Sequence, residues 1–105
     1  MKPSITRMGR THKLIVGKVS VYITVNRGKK GQIIECFGKA GGGLQGHVDM
    51  VCRIASLAIQ GRGNVPTLIR HMRFDKTPPV GGPGQPKSIY DAIAIVLQEE
   101  LERGK

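Results

Sequence analysis

Six residues that could do chemistry stand together between Phe37 and Leu44: Gly38, Lys39, Ala40, Gly41, Gly42 and Gly43. Bare backbone N–H groups leading into a helix, with a lysine beside them, form an anion site, and phosphate is the anion such a passage holds. His47, in the first turn that follows, belongs to the same candidate site. The competing reading is that the glycines let a helix start tightly against a sheet with no ligand.

Other constellations are weaker. Gly41, Gly43 and Gly46 spell G-x-G-x-x-G, but the dinucleotide fingerprint also needs a βαβ unit and an acid about 20 residues on. A Walker A loop ends in Gly-Lys-Ser/Thr, whereas here Gly38-Lys39 comes first. Arg70, His71, Arg73 and Lys76 form a second basic cluster, read either as phosphate contacts or as a solvated helix face. His47 and Cys52 are five positions apart, roughly 140° around a helix, so His47, Asp49 and Cys52 do not converge. Cys36 and Cys52 lie in apolar patterns and are read as small core residues. Glu35 and Asp49 are isolated, and Glu99, Glu100 and Glu102 are expected at an exposed helix end, so no acid/base pair forms. Neither an enzyme nor a cofactor or metal site is expected. Aromatic residues are 4% of the chain, two Tyr and two Phe, thin for a base-stacking platform.

Local patterns supply the elements that must position these residues. Val19, Val21, Ile23 and Val25 alternate with Ser20, Tyr22 and Thr24, a half-buried strand. Asn26 to Gly31 is turn chemistry, and Gln32 to Phe37 resumes an extended run. From Leu44 the period changes: Leu44, Val48, Val51, Cys52, Ala55, Ala58 and Ile59 share a helix face that ends at Gly61. Pro66 opens a short helix with Leu68, Ile69 and Met72. Residues 75 to 87 are a Pro/Gly-rich loop. Ser88 and Asp91 then cap a last helix carrying Ile89, Ala92, Ile93, Val96, Leu97 and Leu101. The expected fold is α+β: a small antiparallel β-meander of two to three strands followed by three helices packed on one face. Residues 1 to 12 read as a basic flexible arm and 13 to 105 as one domain.

The whole chain sets the limits. At 105 residues it is a single domain, large enough for a core without staples. Two cysteines outside any C-x-x-C pair argue for a reducing, cytoplasmic setting, and no apolar run approaches the ~20 residues of a membrane span. The first acid is Glu35, and a net charge of +10 calls for an anionic partner. Open sheet edges lead us to expect a homo-oligomer.

Gly17-Lys18-Val19-Ser20-Val21-Tyr22-Ile23-Thr24-Val25-Asn26, then Phe37-Gly38-Lys39-Ala40-Gly41-Gly42, then Arg53-Ile54-Ala55-Ser56-Leu57-Ala58 together resemble the TSCPD domain, with its G-K-x-Y-V-T-x-N, G-K-x-G and R-L-I-S-L-A-L segments. Ser88-Ile89-Tyr90-Asp91-Ala92-Ile93-Ala94 stands at the S-C-P-D-A-I-A segment and keeps its Ser and Asp, while Ile89-Tyr90 replaces Cys-Pro. Any thiol or metal role of that Cys is therefore lost. The family occurs at the C-terminal end of vitamin B12-dependent ribonucleotide reductases and as small free-standing proteins, so the resemblance implies a link to nucleotide metabolism. The expected function is non-catalytic binding of a phosphate-bearing nucleotide, for sensing or sequestration, at the glycine-rich passage. Two alternatives stand beside it: a nucleic-acid-binding module using the basic arm and the second cluster, and an accessory domain or subunit of a ribonucleotide reductase.

Overall fold

The computed structural model describes residues 8–61 and 63–103. Val21, Ile23 and Val25 are buried and the residues between them turn to the other face, as the alternation requires. They form the central strand of an antiparallel sheet in the order β1 (Met8–Val16), β2 (Val19–Arg27), β3 (Ile33–Ala40). Val16 pairs with Val19 across a two-residue turn begun by Gly17 at φ +63°. Three helices follow, α1 (Gln45–Gln60), α2 (Val65–Met72) and α3 (Ile89–Arg103). The fold is α+β, as expected.

Two expectations are corrected. Residues 8 to 12 are not part of an arm: they pair with β2 from Met8↔Arg27 to His12↔Ile23, while residues 1–7 lie outside the described residues. Gly38, Lys39 and Ala40 are not bare backbone leading into the helix either, but the last three residues of β3.

α1 lies along the outer edge of β3 and takes the place of a fourth strand. Gln60 donates to the Ile34 carbonyl at 2.9 Å, and Ser56 accepts from the Cys36 N–H at 3.0 Å and donates to its carbonyl. Gln45 donates to the Gly38 carbonyl at 2.8 Å and accepts from the Ala40 N–H at 2.9 Å. An edge strand with its polar groups used in this way offers little to a second chain.

α3 is the most buried helix, with Ile89, Ala92, Ile93, Ala94, Val96 and Leu97 packed among Val16, Val21, Ile23 and Val25 of the sheet and Ile69 of α2. Asn64 caps α2 by accepting from the Thr67 N–H at 3.0 Å, with Pro66 just inside the helix. The loop 75–87 is irregular, as expected, and docks on the first hairpin: the Gln85 side-chain oxygen accepts from the N–H groups of both Gly17 and Gly82 at 2.8 Å. No helix among the described residues is long and apolar enough to cross a membrane.

Candidate ligand-binding site

The glycine-rich passage divides into parts with different work. Gly38 faces inward, and a Cβ there would lie 2.2 Å from Val48 Cγ1 and 3.1 Å from Ile23 Cδ1, so its lack of a side chain is what lets α1 approach β3. With the Gly38 carbonyl and the Ala40 N–H both bonded to Gln45, these two residues serve packing and the sheet edge rather than an anion. Gly38→Ala is expected to cost about 1–3 kcal/mol through overpacking, read as a lower urea midpoint, while the binding face stays intact.

Lys39, between them, points the other way and is exposed on the outer face. Gly41 accepts from the Leu44 N–H at 3.2 Å in a turn where Gly42 and Gly43 have φ +65° and +77°, a conformation that favours glycine. α1 then starts at Gln45 with no side-chain cap and no acid in its first turn, leaving its positive end open. His47 is exposed in that turn, its Nδ1 3.5 Å from the Tyr90 hydroxyl.

The outer sheet face is the feature the amino-acid pattern undersold. Thr11, Thr24 and Phe37 lie abreast across the three strands, and Lys13, Tyr22 and Lys39 form the next row. The Lys13 ammonium sits 5.7 Å from the centroid of the Tyr22 ring, within cation–π reach. Phe37 is 53% exposed and Tyr22 36%. A hollow of about 590 Å³ is lined by Tyr22, Thr24, Phe37 and Lys39 of the sheet and by Gln45, the first residue of α1, and the acid Asp49. Two of the four aromatic residues thus stand on one open face beside lysines, a grouping hidden in the composition but present in the strand parity.

The second basic cluster is not a unit. Arg73 is ion-paired with the buried Asp91 and lies over the Phe74 ring at 4.1 Å, which leaves Arg70, His71 and Lys76 as its exposed members. Asp91 also accepts from the backbone N–H groups of Phe74 and Lys87, both at 2.8 Å, and Ser88 Oγ accepts from the Asp91 N–H at 3.1 Å. Burial pushes the Asp91 carboxyl up, but these donors and the Arg73 charge outweigh it and hold it below the ordinary carboxylate range.

Glu100 is not at an exposed helix end, as the sequence suggested: it is 1% exposed. Its carboxylate meets His12 Nε2 at 2.6 Å, Arg27 Nη2 at 2.9 Å and Arg10 Nε at 3.6 Å. Burial raises its pKa, and the His12 and Arg27 hydrogen bonds and charges bring it below the usual value. Both acids are structural.

Cys36 and Cys52 are buried, with Cys36 Sγ 3.6 Å from the Cys52 carbonyl. Their mutual hydrogen bond holds the Cys36 thiol down against burial and, together with burial, pushes Cys52 up. Among the described residues, no three His, Cys, Asp or Glu side chains group as a metal site.

The family model of the TSCPD domain matches residues 1–101 of this chain. No curated protein and no solved structure matches it.

Proposed function

The chain belongs to the TSCPD domain family, and from that premise we propose that it is a non-catalytic binding protein for a phosphate-bearing, nucleotide-type ligand. One observation carries the reading: a single hollow brings together the Tyr22 and Phe37 rings, Lys39 and the first residue of the uncapped α1, with Asp49 as the acid in its lining. A nucleotide offers the matching groups, a flat base and an anion joined within one small molecule. Tyr22 and Phe37 offer faces for the base. Lys39 and the α1 N–H groups offer charge and donors to phosphate. The excess of cations favours the encounter.

This reading moves the ligand from the glycine passage to the sheet face beside it. Lys39 stays central, the Gly41–Gly43 turn sets the helix start, and Gly38 and Ala40 act only as supports. Titration of the protein with adenosine and uridine triphosphates tests it. Saturable binding is expected, and Lys39→Ala should weaken it roughly tenfold or more without lowering the melting temperature. Absence of saturable binding, or equal binding by Lys39→Ala, would overturn the reading.

One observation favours a second reading, docking on a protein such as a ribonucleotide reductase. Met50, Ile54 and Leu57 are 55%, 50% and 70% exposed at i, i+4, i+7 on α1, an apolar stripe with no cover among the described residues. Stable co-purification with a reductase, lost in Ile54→Asp, would support it.

A further inference from the structure

We propose that the outer face of the sheet is a platform for single-stranded nucleic acid, with successive bases stacked on Tyr22 and Phe37 and the intervening phosphates held by Lys39 and Lys13. The inference rests on the nucleotide-type reading above and names the ligand class as a polymer.

The register makes the case. Tyr22 has Lys13 directly opposite on β1 and Lys39 directly opposite on β3, so its ring is flanked by a cation on each side. Phe37 pairs with Thr24, which places it diagonal to Tyr22. Diagonal neighbours across an antiparallel pair lie roughly 7–8 Å apart, within reach of aromatic side chains, so two consecutive bases can each find a ring. One mononucleotide would use one ring and one cation. Two rings with a lysine on each side of the strand between them suit a chain of bases joined by phosphates.

The charge continues beyond the rings. Lys18 is exposed in the turn before β2, and Lys29 and Lys30 are exposed in the turn after it, so cations stand at both ends of the central strand. Two acids stand at the same face, each hydrogen-bonded to a neutral amide: Glu35 accepts from Asn26 Nδ2 at 3.0 Å, and Asp49, in the lining of the hollow, accepts from Gln45 Nε2 at 2.7 Å. The lysines of the face and of the strand ends outnumber them. Between the rings and β1, Thr11 and Thr24 share a hydrogen bond of 2.8 Å and present small side chains that leave the hollow open. Lys13 now rests over the Tyr22 ring. An arriving base displaces it, and its ammonium moves to a phosphate, exchanging an exposed cation–π contact for a charge-assisted hydrogen bond.

This arrangement selects against duplexes. Paired bases keep their faces inside the stack, where rings on a sheet cannot reach them, whereas a single strand can splay its bases onto aromatic side chains. Every base has a π-face, so little sequence preference is expected.

Equilibrium binding of labelled twelve-residue oligouridylate and oligothymidylate, with a duplex of equal length and uridine triphosphate as competitors, tests the proposal on the full chain. Both single strands are expected to bind more tightly than the triphosphate and the duplex. Tyr22→Ala and Phe37→Ala should each weaken oligonucleotide binding roughly 5- to 150-fold, and Tyr22→Phe should restore it. Lys39→Gln should reduce the slope of log K against log salt by about 0.7, one phosphate contact on a single strand. Both aromatic side chains are exposed, and a melting curve for each variant separates lost binding from lost folding. If the triphosphate binds through Lys39 but the oligonucleotides bind no better than it does, the polymer proposal fails and the small-ligand reading stands. If neither binds, both fail. Duplex preference, or oligonucleotide binding indifferent to Tyr22 and Phe37, also overturns the proposal.

Discussion

Asp91→Ala is expected to lower stability by about 3–5 kcal/mol, the cost of removing one partner from a buried ion pair. Asp91 is 2% exposed, and its carboxylate ties together three places that are distant along the chain. Arg73 and Phe74 end α2, Lys87 ends the proline-rich loop, and Asp91 itself lies in the first turn of α3. Alanine leaves the guanidinium and two backbone N–H groups without an acceptor, and Phe74, held at φ +67°, loses its anchor. A domain of this size has about 5–15 kcal/mol in total, so a large share disappears. The urea midpoint should fall with little change in m. Ser88→Ala removes two hydrogen bonds, one accepted from the Asp91 N–H and one donated to the Asp75 carboxylate at 2.9 Å, and should cost about 1–3 kcal/mol. The Ser and Asp kept from the S-C-P-D-A-I-A segment thus hold the fold together.

The second large effect is at Glu100. Glu100→Ala should also cost about 3–5 kcal/mol, a fall in Tm of at least about 12 °C, because Arg27 and His12 lose their shared carboxylate. The position explains the cations around it. Glu100 lies in the last turn of α3, where the helix dipole is unfavourable to an acid, and Arg27 answers both by donating to the Glu100 carboxylate and to its backbone carbonyl. The folded pKa of Glu100 is depressed, as are those of Asp91 and Asp75; for Asp75 the Thr77 backbone N–H is the main cause. A depressed carboxyl contributes stability that is present above its unfolded value, about 4, and lost as pH falls through the folded value. Melting temperature should therefore be level near neutrality and drop below about pH 4, and the drop should be shallower in Glu100→Gln. A variant with the same acid dependence as the parent would show that Glu100 is not paired as described.

What was legible in the sequence was what local periodicity carries. The alternation of β2, the glycine turns, and the apolar faces of α1 and α3 each lie within a dozen or so residues and led to the correct fold class. Residues 8 to 12 of β1 read as part of a basic arm because the inward positions at Arg10 and His12 are polar, and they are polar because they face Glu100. That partnership spans 88 residues between His12 and Glu100, beyond any local pattern. Gly38 groups with the glycine-rich passage because glycine is rare in strands, yet it is glycine because Val48 occupies the space of a side chain. Arg73 groups in the sequence with a basic cluster, phosphate-contacting or solvated, because its partner Asp91 lies 18 residues on. The grouping of Tyr22 with Phe37 depends on the register between β2 and β3. The parity was nevertheless available: Tyr22 alternates with buried Val21 and Ile23, and Phe37 with buried Cys36, so both belong to the outward set.

The most direct test of the central claim is where a nucleotide lands. Amide shifts of isotopically labelled protein should be followed by NMR during titration with uridine triphosphate. Saturable changes are expected at Tyr22, Phe37, Lys39 and Gln45, with Arg70, His71 and Lys76 unmoved. Changes centred on that second cluster, or no saturable change on the outer sheet face, would contradict it.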